Sequence, residues 1–326
     1  MKKFVALLMC ALMVLGSVVS FAAAEETKTI YVIMKALGNQ YWSILQAGAE
    51  KAAEDLGCNV VITGIPNEAD IEGQLRLLQD AVSAQADGIL IGVADSKSLA
   101  KPVSEAFQAG TPIVLVDTMC ETEDYSAALL TDNVVAGELA AEEMLKKLHE
   151  AEVSEDEEAQ IAVQVGSTGS QTINDRLAGF NAYWEENAPE KWVILNDDIK
   201  NNEGDIVKAV GFGQDFLTTY PNLKGVFGPN NGSTVGFVTA LTESSRSDVV
   251  MVGFDFSKEM ENMIRDENFT ASTLVQRQYF MGYDGVRIAL ELATGGQTAE
   301  KDVDTGVLVV DIANIDSEEV QSVINP

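Results

Sequence analysis

From Thr29 onward the chain alternates short apolar runs with stretches whose apolar residues recur every three or four positions, and this leaves few folds open. Ile30-Tyr31-Val32-Ile33-Met34 predicts a buried strand, and Trp42, Leu45, Ala49, Ala52 and Leu56 predict a helix with one apolar face. Val60 to Ile62 is the next strand; Ile71, Leu75, Leu78 and Val82 mark the next helix. Gly88 to Ile91 follows, then a helix from Ser98 to Ala109, with Gly110 placed for a left-handed cap and Pro112 barring continuation. Ile113 to Val116 and Ala127 to Leu130 are the fourth and fifth strands. Asp132 or Asn133 then caps a helix carrying Val134, Ala141, Leu145 and Leu148.

Glu150 to Glu158 holds six acids in nine residues and reads as a solvated surface loop; it lacks the glycine pattern of a calcium-binding EF-hand. After it the alternation restarts. Strands are expected at Ile161 to Val165, Trp192 to Leu195, Gly225 to Phe227, Val249 to Val252, Thr273 to Val275 and Val307 to Val310, with helices between them. Strands this apolar are buried on both faces, which means parallel sheets with crossover helices. The fold class is therefore α/β, with two doubly wound parallel-sheet lobes. In open parallel sheets ligands bind beyond the carboxyl ends of the strands, so the polar residues found there are the candidates for function.

Composition removes several function classes. Against 21 Lys and Arg stand 51 Asp and Glu, a formal charge of −30, which opposes nucleic acid and anionic membrane surfaces. A single histidine, His149, excludes histidine-rich metal sites and makes any Ser–His–Asp triad depend on that residue. Cys10, Cys58 and Cys120 share no CxxC spacing, so a zinc knuckle or redox motif of that kind is ruled out. Cys58 and Cys120 fall at opposite ends of one parallel sheet and are expected to be free thiols. At the N-terminus Lys2 and Lys3 precede the apolar Phe4 to Leu15, and Ala22-Ala23-Ala24 precedes Glu25. That pattern predicts a secretory signal peptide cut after Ala24, and its apolar run is shorter than the roughly 20 residues a spanning helix needs.

At the strand ends, Lys35 closes strand one and needs an acceptor. Asn39, Tyr41 and Trp42 follow, an amide beside two aromatics, which suits the polar edges and C–H faces of a sugar. Equally, Asn39 can cap the helix and Trp42 can belong to the core. Asp117 follows strand four, and Arg176 lies early in the first helix of the second series. Asn230, Asp255 and Gln276 follow later strands. Each alone can be a cap or turn residue. Together they form a set of planar groups, all at carboxyl ends, able to grip neighbouring hydroxyls with paired bonds.

These residues also carry a resemblance. Lys35-Ala-Leu-Gly-Asn-Gln-Tyr-Trp42, Thr131-Asp-Asn133, Arg176-Leu-Ala-Gly-Phe180, Phe227-Gly-Pro-Asn230, Val252-Gly-Phe-Asp255 and Gln276-Arg-Gln-Tyr-Phe-Met-Gly-Tyr-Asp-Gly285 resemble the type I periplasmic sugar-binding proteins of the ribose and allose group. The resemblance implies that Asn39, Tyr41, Trp42, Asp117, Arg176, Asn230, Asp255 and Gln276 contact the sugar, with Lys35 as in the allose-type subgroup. It implies discontinuous lobes: residues 1–24 as signal peptide, 25–131 plus 277–304 as the first lobe, and 132–276 plus 305–326 as the second. It also implies closure around a monosaccharide, delivery to an ABC permease with its ATPase, a chemoreceptor as a further partner, and a monomer outside the cytoplasm that uses no cofactor or metal. Three positions depart from the ribose-type pattern. Thr118 stands where Arg follows the aspartate, Gly204 stands for an aromatic, and Gln40 stands for proline. Thr118, the wall area missing at Gly204 and the extra donor Lys35 together predict a larger or differently substituted monosaccharide than ribose, a hexose of the allose kind being the first choice.

Other readings of the same pattern differ in class. A lactose-type repressor needs an N-terminal DNA-binding segment where this chain has its signal peptide. A quorum-signal receptor of the same fold agrees with Lys35 but not with Arg176. A glycoside-acting enzyme would use Asp117 and Asp255 and needs one of them with a raised pKa.

Overall fold

The computed structural model describes residues 27–326, so the signal peptide read from Lys2 to Ala24 lies outside the described residues. Two sheets organise the chain. The first comprises β1 (Thr29–Met34), β2 (Asn59–Gly64), β3 (Gly88–Ile91), β4 (Ile113–Val116), β5 (Ala127–Leu130) and β12 (Asp302–Asp304), in the order β12-β5-β4-β3-β1-β2. The second comprises β6 (Ala159–Val165), β7 (Trp192–Ile194), β9 (Leu223–Gly228), β10 (Val250–Phe254), β11 (Ala271–Gln276) and β13 (Val307–Val310), in the order β13-β11-β10-β9-β6-β7, with the short β8 (Lys200–Asn201) paired to β6. Each sheet therefore runs second, first, third, fourth and fifth of its own major strands, followed by one late strand.

Both sheets are covered on both faces, which is why their strands read as continuous apolar runs. Ile30, Val32 and Met34 of β1 join one core cluster, while Ile33 joins the cluster on the opposite face. In β6, Ala162 faces one cluster and Ile161, Val163 and Val165 face the other.

Strands expected from the apolar runs appear within a residue or two of their expected ends. Two strands carry no such signal: Lys200-Asn201 is two polar residues long, and Asp302-Val303-Asp304 offers a single apolar side chain. The helix expected from Ser98 begins at Ala100, because Asp95 Oδ1 accepts from the backbone amides of Lys97 and Ser98 and holds a turn there. Residues 150–158 end a helix and form an exposed loop, as their acid content predicts.

The last strand departs from the all-parallel expectation, since β13 runs antiparallel to β11. The cause is the route of the chain. It leaves the first sheet at the carboxyl end of β12, which is parallel to β5, and two residues later enters the second sheet from its carboxyl edge.

The other crossings also leave from carboxyl ends, after β5 and after β11. Hydrogen bonds tie all three crossings together. Thr131 Oγ1 donates to Gln276 Oε1 at 2.9 Å, and the Thr305 backbone N–H and Oγ1 both donate to the Leu130 carbonyl, at 2.7 and 2.9 Å.

Candidate functional site

Asp117 and Asp255 occupy equivalent positions, each directly after the fourth major strand of its sheet. Both adopt the left-handed backbone, with φ of 66° and 69°. For a residue other than glycine this conformation is uncommon, and such strain gathers at functional sites. The two are held alike. The Asp117 N–H donates to Leu129 O at 3.1 Å and the Asp255 N–H to Leu274 O at 2.7 Å. Thr172 Oγ1 donates to the Asp117 carbonyl and Thr273 Oγ1 to that of Asp255, both at 2.8 Å. Each turn thus places a carboxylate beyond the end of its sheet, at the cleft.

Lys35, also at a carboxyl end, finds its acceptor in Asp117: Nζ lies 2.7 Å from Oδ2, and both side chains are buried. Lys35 Nζ also donates to Thr118 Oγ1, and Thr118 Oγ1 donates to Asp117 Oδ2 at 2.7 Å. Burial alone would raise the Asp117 carboxyl, but the Lys35 charge and hydrogen bond, Arg176 and Thr118 hold it below the usual carboxylate range. The cation that ribose-type sites place next to this aspartate in sequence is supplied here from the end of β1. Tyr41, whose OH donates to Met281 Sδ at 3.6 Å, packs edge-on against Trp42 with centroids 5.0 Å apart. Burial, with Asp117 and Asp255 nearby, raises its phenol well above the ordinary value.

On the opposite lobe the helix Gln171–Asn187 presents Thr172, Ile173 and Arg176 on one face. Arg176 is 1% exposed. Its Nε donates to Asn133 Oδ1 at 2.9 Å and its Nη1 to the Pro229 carbonyl at 2.7 Å, while the guanidinium lies 3.9 Å from the centre of the Phe254 ring. Nη2, also buried, has no hydrogen-bond partner among the described residues. The neighbouring helix Asn133–Glu150 passes so close that a Cβ at Gly137 would lie 2.1 Å from the Arg176 carbonyl, so glycine there sets the depth of the guanidinium.

Asp255 accepts from Gln276 Nε2 at 2.8 Å and from the Asn231 backbone at 3.1 Å. Burial still pushes its carboxyl up to about 6, against the opposing pull of Arg176. Asn230 Oδ1 accepts from Ser233 Oγ at 2.6 Å. Asn39 caps its helix through a 3.0 Å bond from the Trp42 N–H, and Trp42 is buried against Gly92. Asn39 thus caps and Trp42 packs as the second reading of this segment expects, and both side chains also line the cleft between the lobes.

The lobes meet around a narrow, partly open polar cleft with only about 30 Å³ of free space, well below ordinary ligand pockets, so the two lobes are nearly shut on each other. It is lined by Lys35, Asn39, Tyr41, Trp42, Asp117, Arg176, Asn230 and Asp255. Gln276 does not line it; it lies behind Asp255, linking that carboxylate to Thr131 at the first crossing. Four lining residues escaped the sequence reading: Glu68, Thr172, Ile173 and Asn231. Thr172 and Ile173 were detectable as residues four and three before Arg176 on one helix face. Glu68 follows β2, but at four residues beyond its end the strand-end rule did not reach it. Direct bonds also join the lobes: the Ser96 N–H donates to Gly169 O at 3.0 Å, and the Gln171 N–H to Ser96 Oγ at 3.0 Å. Among the described residues no group of three or more His, Cys, Asp or Glu could hold a metal ion.

The space opposite Gly204 differs from expectation. Loss of an aromatic there should have opened the wall, yet a Cβ built on Gly204 would lie 3.3 Å from the Cβ, Cγ and backbone N of Glu68. The opposite lobe fills the gap.

Two similar α/β lobes, crossed three times by the chain and closing on a polar cavity, define the class of two-lobed periplasmic binding folds. The chain belongs to the periplasmic binding protein domain family, whose profile matches residues 30–297. It is 28% identical to the ribose import binding protein of Salmonella typhimurium over 92% of this chain and 96% of that protein. It is 26% identical to the D-allose-binding periplasmic protein of Escherichia coli, over 87% and 89%. Among solved structures, an Agrobacterium radiobacter carbohydrate transporter solute-binding protein in complex with D-arabinose superimposes with a TM-score of 0.87 at 29% identity, covering 93% of this chain and 100% of that one. An Agrobacterium vitis ABC transporter solute-binding protein with bound D-fucose gives 0.83 at 31%, covering 90% and 99%.

Proposed function

We propose that this protein captures a monosaccharide between its lobes and delivers it to an ABC-type permease, from the periplasm or the extracellular face. The observation that carries this reading is the buried Arg176 Nη2, without a protein partner, in a cavity where Asp117, Asp255, Asn39 and Asn230 converge. Such a cavity offers donors and acceptors to hydroxyls on every side, with Tyr41, Trp42 and Ile173 for the apolar ring face. The reading takes Lys35, Asn39, Tyr41, Trp42, Asp117, Arg176, Asn230 and Asp255 as ligand contacts and Gln276 as the support of Asp255. It divides the chain as residues 25–131 plus 277–304 and 132–276 plus 305–326, hinged at the bonded crossings. The permease recognises the closed monomer, and a chemoreceptor of the same membrane is a further partner. No helix among the described residues is long and apolar enough to cross a membrane.

Ribose is not the preferred sugar, because Lys35 is committed to Asp117 and Thr118 cannot offer the fork of a guanidinium. Calorimetric titration with ribose, allose, galactose, glucose, arabinose, fucose and xylose tests both statements. Absence of binding to every sugar removes the reading, and tightest binding to ribose removes the preference.

A second reading has one observation behind it. Asp117 and Asp255 are pushed apart in pKa, as a glycoside-cleaving acid and base would be. Against it, both Asp255 oxygens accept N–H bonds, which favour the ionised form over a proton donor. Release of nitrophenol from aryl glycosides by the purified protein would support catalysis.

A further inference from the structure

Glu68 is the third acidic residue lining the cleft, beside Asp117 and Asp255. It sits in the loop between β2 and the helix Ile71–Ser83, is half-buried, and lines the cavity. Its stem lies against Gly204 of the other lobe, at a position whose φ of +74° favours glycine and whose missing side chain makes the space Glu68 occupies. Its carboxyl lies within electrostatic reach of Lys35, Asp117 and Arg176, and among the described residues it makes no hydrogen bond or ion pair.

Charge then decides what the cavity accepts. Lys35 is neutralised by Asp117 at 2.7 Å, and Arg176 and Asp255, both of the second lobe, attract each other electrostatically. Two cations and two carboxylates balance; Glu68, whose carboxyl burial raises above its ordinary value against the pull of Lys35 and Arg176, adds a third carboxylate once it is ionised. A ligand carrying its own carboxylate meets uncompensated negative charge in a narrow cleft between largely buried side chains, where screening is weaker than in bulk water. A hydroxyl instead meets an acceptor with free lone pairs.

We propose that Glu68 is a specificity-determining residue that closes the cavity opposite Gly204 and selects uncharged monosaccharides over sugar acids. The proposal rests on the monosaccharide reading above. Because Glu68 belongs to the first lobe and packs on Gly204 of the second, it acts in the closed form, and that contact makes it part of the closure surface.

The test compares wild type, Glu68→Gln and Glu68→Ala by calorimetry at pH 8. The ligands are galactose, glucose, allose, arabinose and fucose, with galacturonate and glucuronate as charged counterparts. Wild type should bind a neutral sugar and reject both acids. Glu68→Gln, which keeps shape and hydrogen-bonding capacity, should narrow the ratio of neutral to acid affinity by about tenfold or more, the size of one unscreened charge contact. Glu68→Ala should narrow it likewise and also weaken the neutral sugar. An unchanged ratio in Glu68→Gln, including acids that remain undetectable, overturns the role of Glu68 while leaving monosaccharide binding in place. Failure of wild type to bind any of the neutral sugars removes both. Melting curves for each variant separate lost binding from lost fold.

Discussion

Lys35 and Asp117 form a buried ion pair, Nζ to Oδ2 at 2.7 Å, between the ends of two strands of one sheet. Removing one member leaves the other charged and buried, which costs about 3–5 kcal/mol. Lys35→Met should therefore lower the melting temperature and abolish tight sugar binding. The double variant Lys35→Met/Asp117→Asn should recover most of the stability but not the binding. Equal melting temperatures for wild type and Lys35→Met would show that the pair is not held as described.

Asp255 supplies a pH signature. Burial raises its folded pKa to about 6, above the roughly 3.9 of an unfolded aspartate. Between those values the folded state holds the proton more tightly, so this group makes stability fall as pH rises from about 4 to 6, by at most about 1.4 kcal/mol per pH unit. Above about 6 the contribution is level. Asp255→Asn should lack this slope in urea melts across the window; parallel wild-type and variant curves would contradict it. Sugar affinity should rise as pH passes through about 6, where the folded carboxyl ionises and becomes available to accept from hydroxyls.

Arg176 tests the site itself. Arg176→Ala strips donors from Asn133 Oδ1 and the Pro229 carbonyl and removes the unpartnered Nη2. Binding should weaken by about 2–3 kcal/mol, roughly 30- to 150-fold. Arg176→Lys should not restore it, because an ammonium cannot make the planar fork. Unchanged affinity in Arg176→Ala would place the ligand elsewhere.

Closure has a solution readout. The bonds from Ser96 to Gly169 and from Gln171 to Ser96 hold the lobes together, so scattering calculated from this structure should match the sugar-bound protein. Sugar-free protein should have a larger radius of gyration, because few bonds besides the crossings join the lobes. A radius that does not change at saturating sugar would leave the hinge without support.

Cys58 and Cys120 are both buried and unpaired, and burial pushes the Cys120 thiol up to about 12. Denatured, unreduced protein beginning at Glu25 should titrate two thiols, and native protein should react slowly at Cys120. Finding none after denaturation would require a disulfide that the fold does not bring together.

The fold was legible because strands buried on both faces must be apolar throughout, so Ile30–Met34 or Ile113–Val116 announce themselves without neighbours. Lys200–Asn201 and Asp302–Asp304 were not, because those strands exist only through pairing with β6 and β5, which no local pattern encodes. At the site, position after a strand was enough to single out Lys35, Asp117 and Asp255. It could not show that Gln276 turns away from the cavity toward Thr131, nor that the space left by Gly204 is filled by Glu68. Both depend on how one lobe meets segments distant in sequence.

The late strands β12 and β13 carry a consequence for how the molecule is made. Each is the edge strand of a sheet whose other strands lie earlier in the chain, and the helix Gln278–Ala293 that covers the first sheet also comes late. A chain emerging from its N-terminus therefore has neither lobe complete until its final segment is released. Until then the β5 and β11 edges stand unpaired, inviting association with other strands. Truncation before Asp302 should yield aggregates of both lobes rather than one folded half, and maturation should be a single late event that seals the two together.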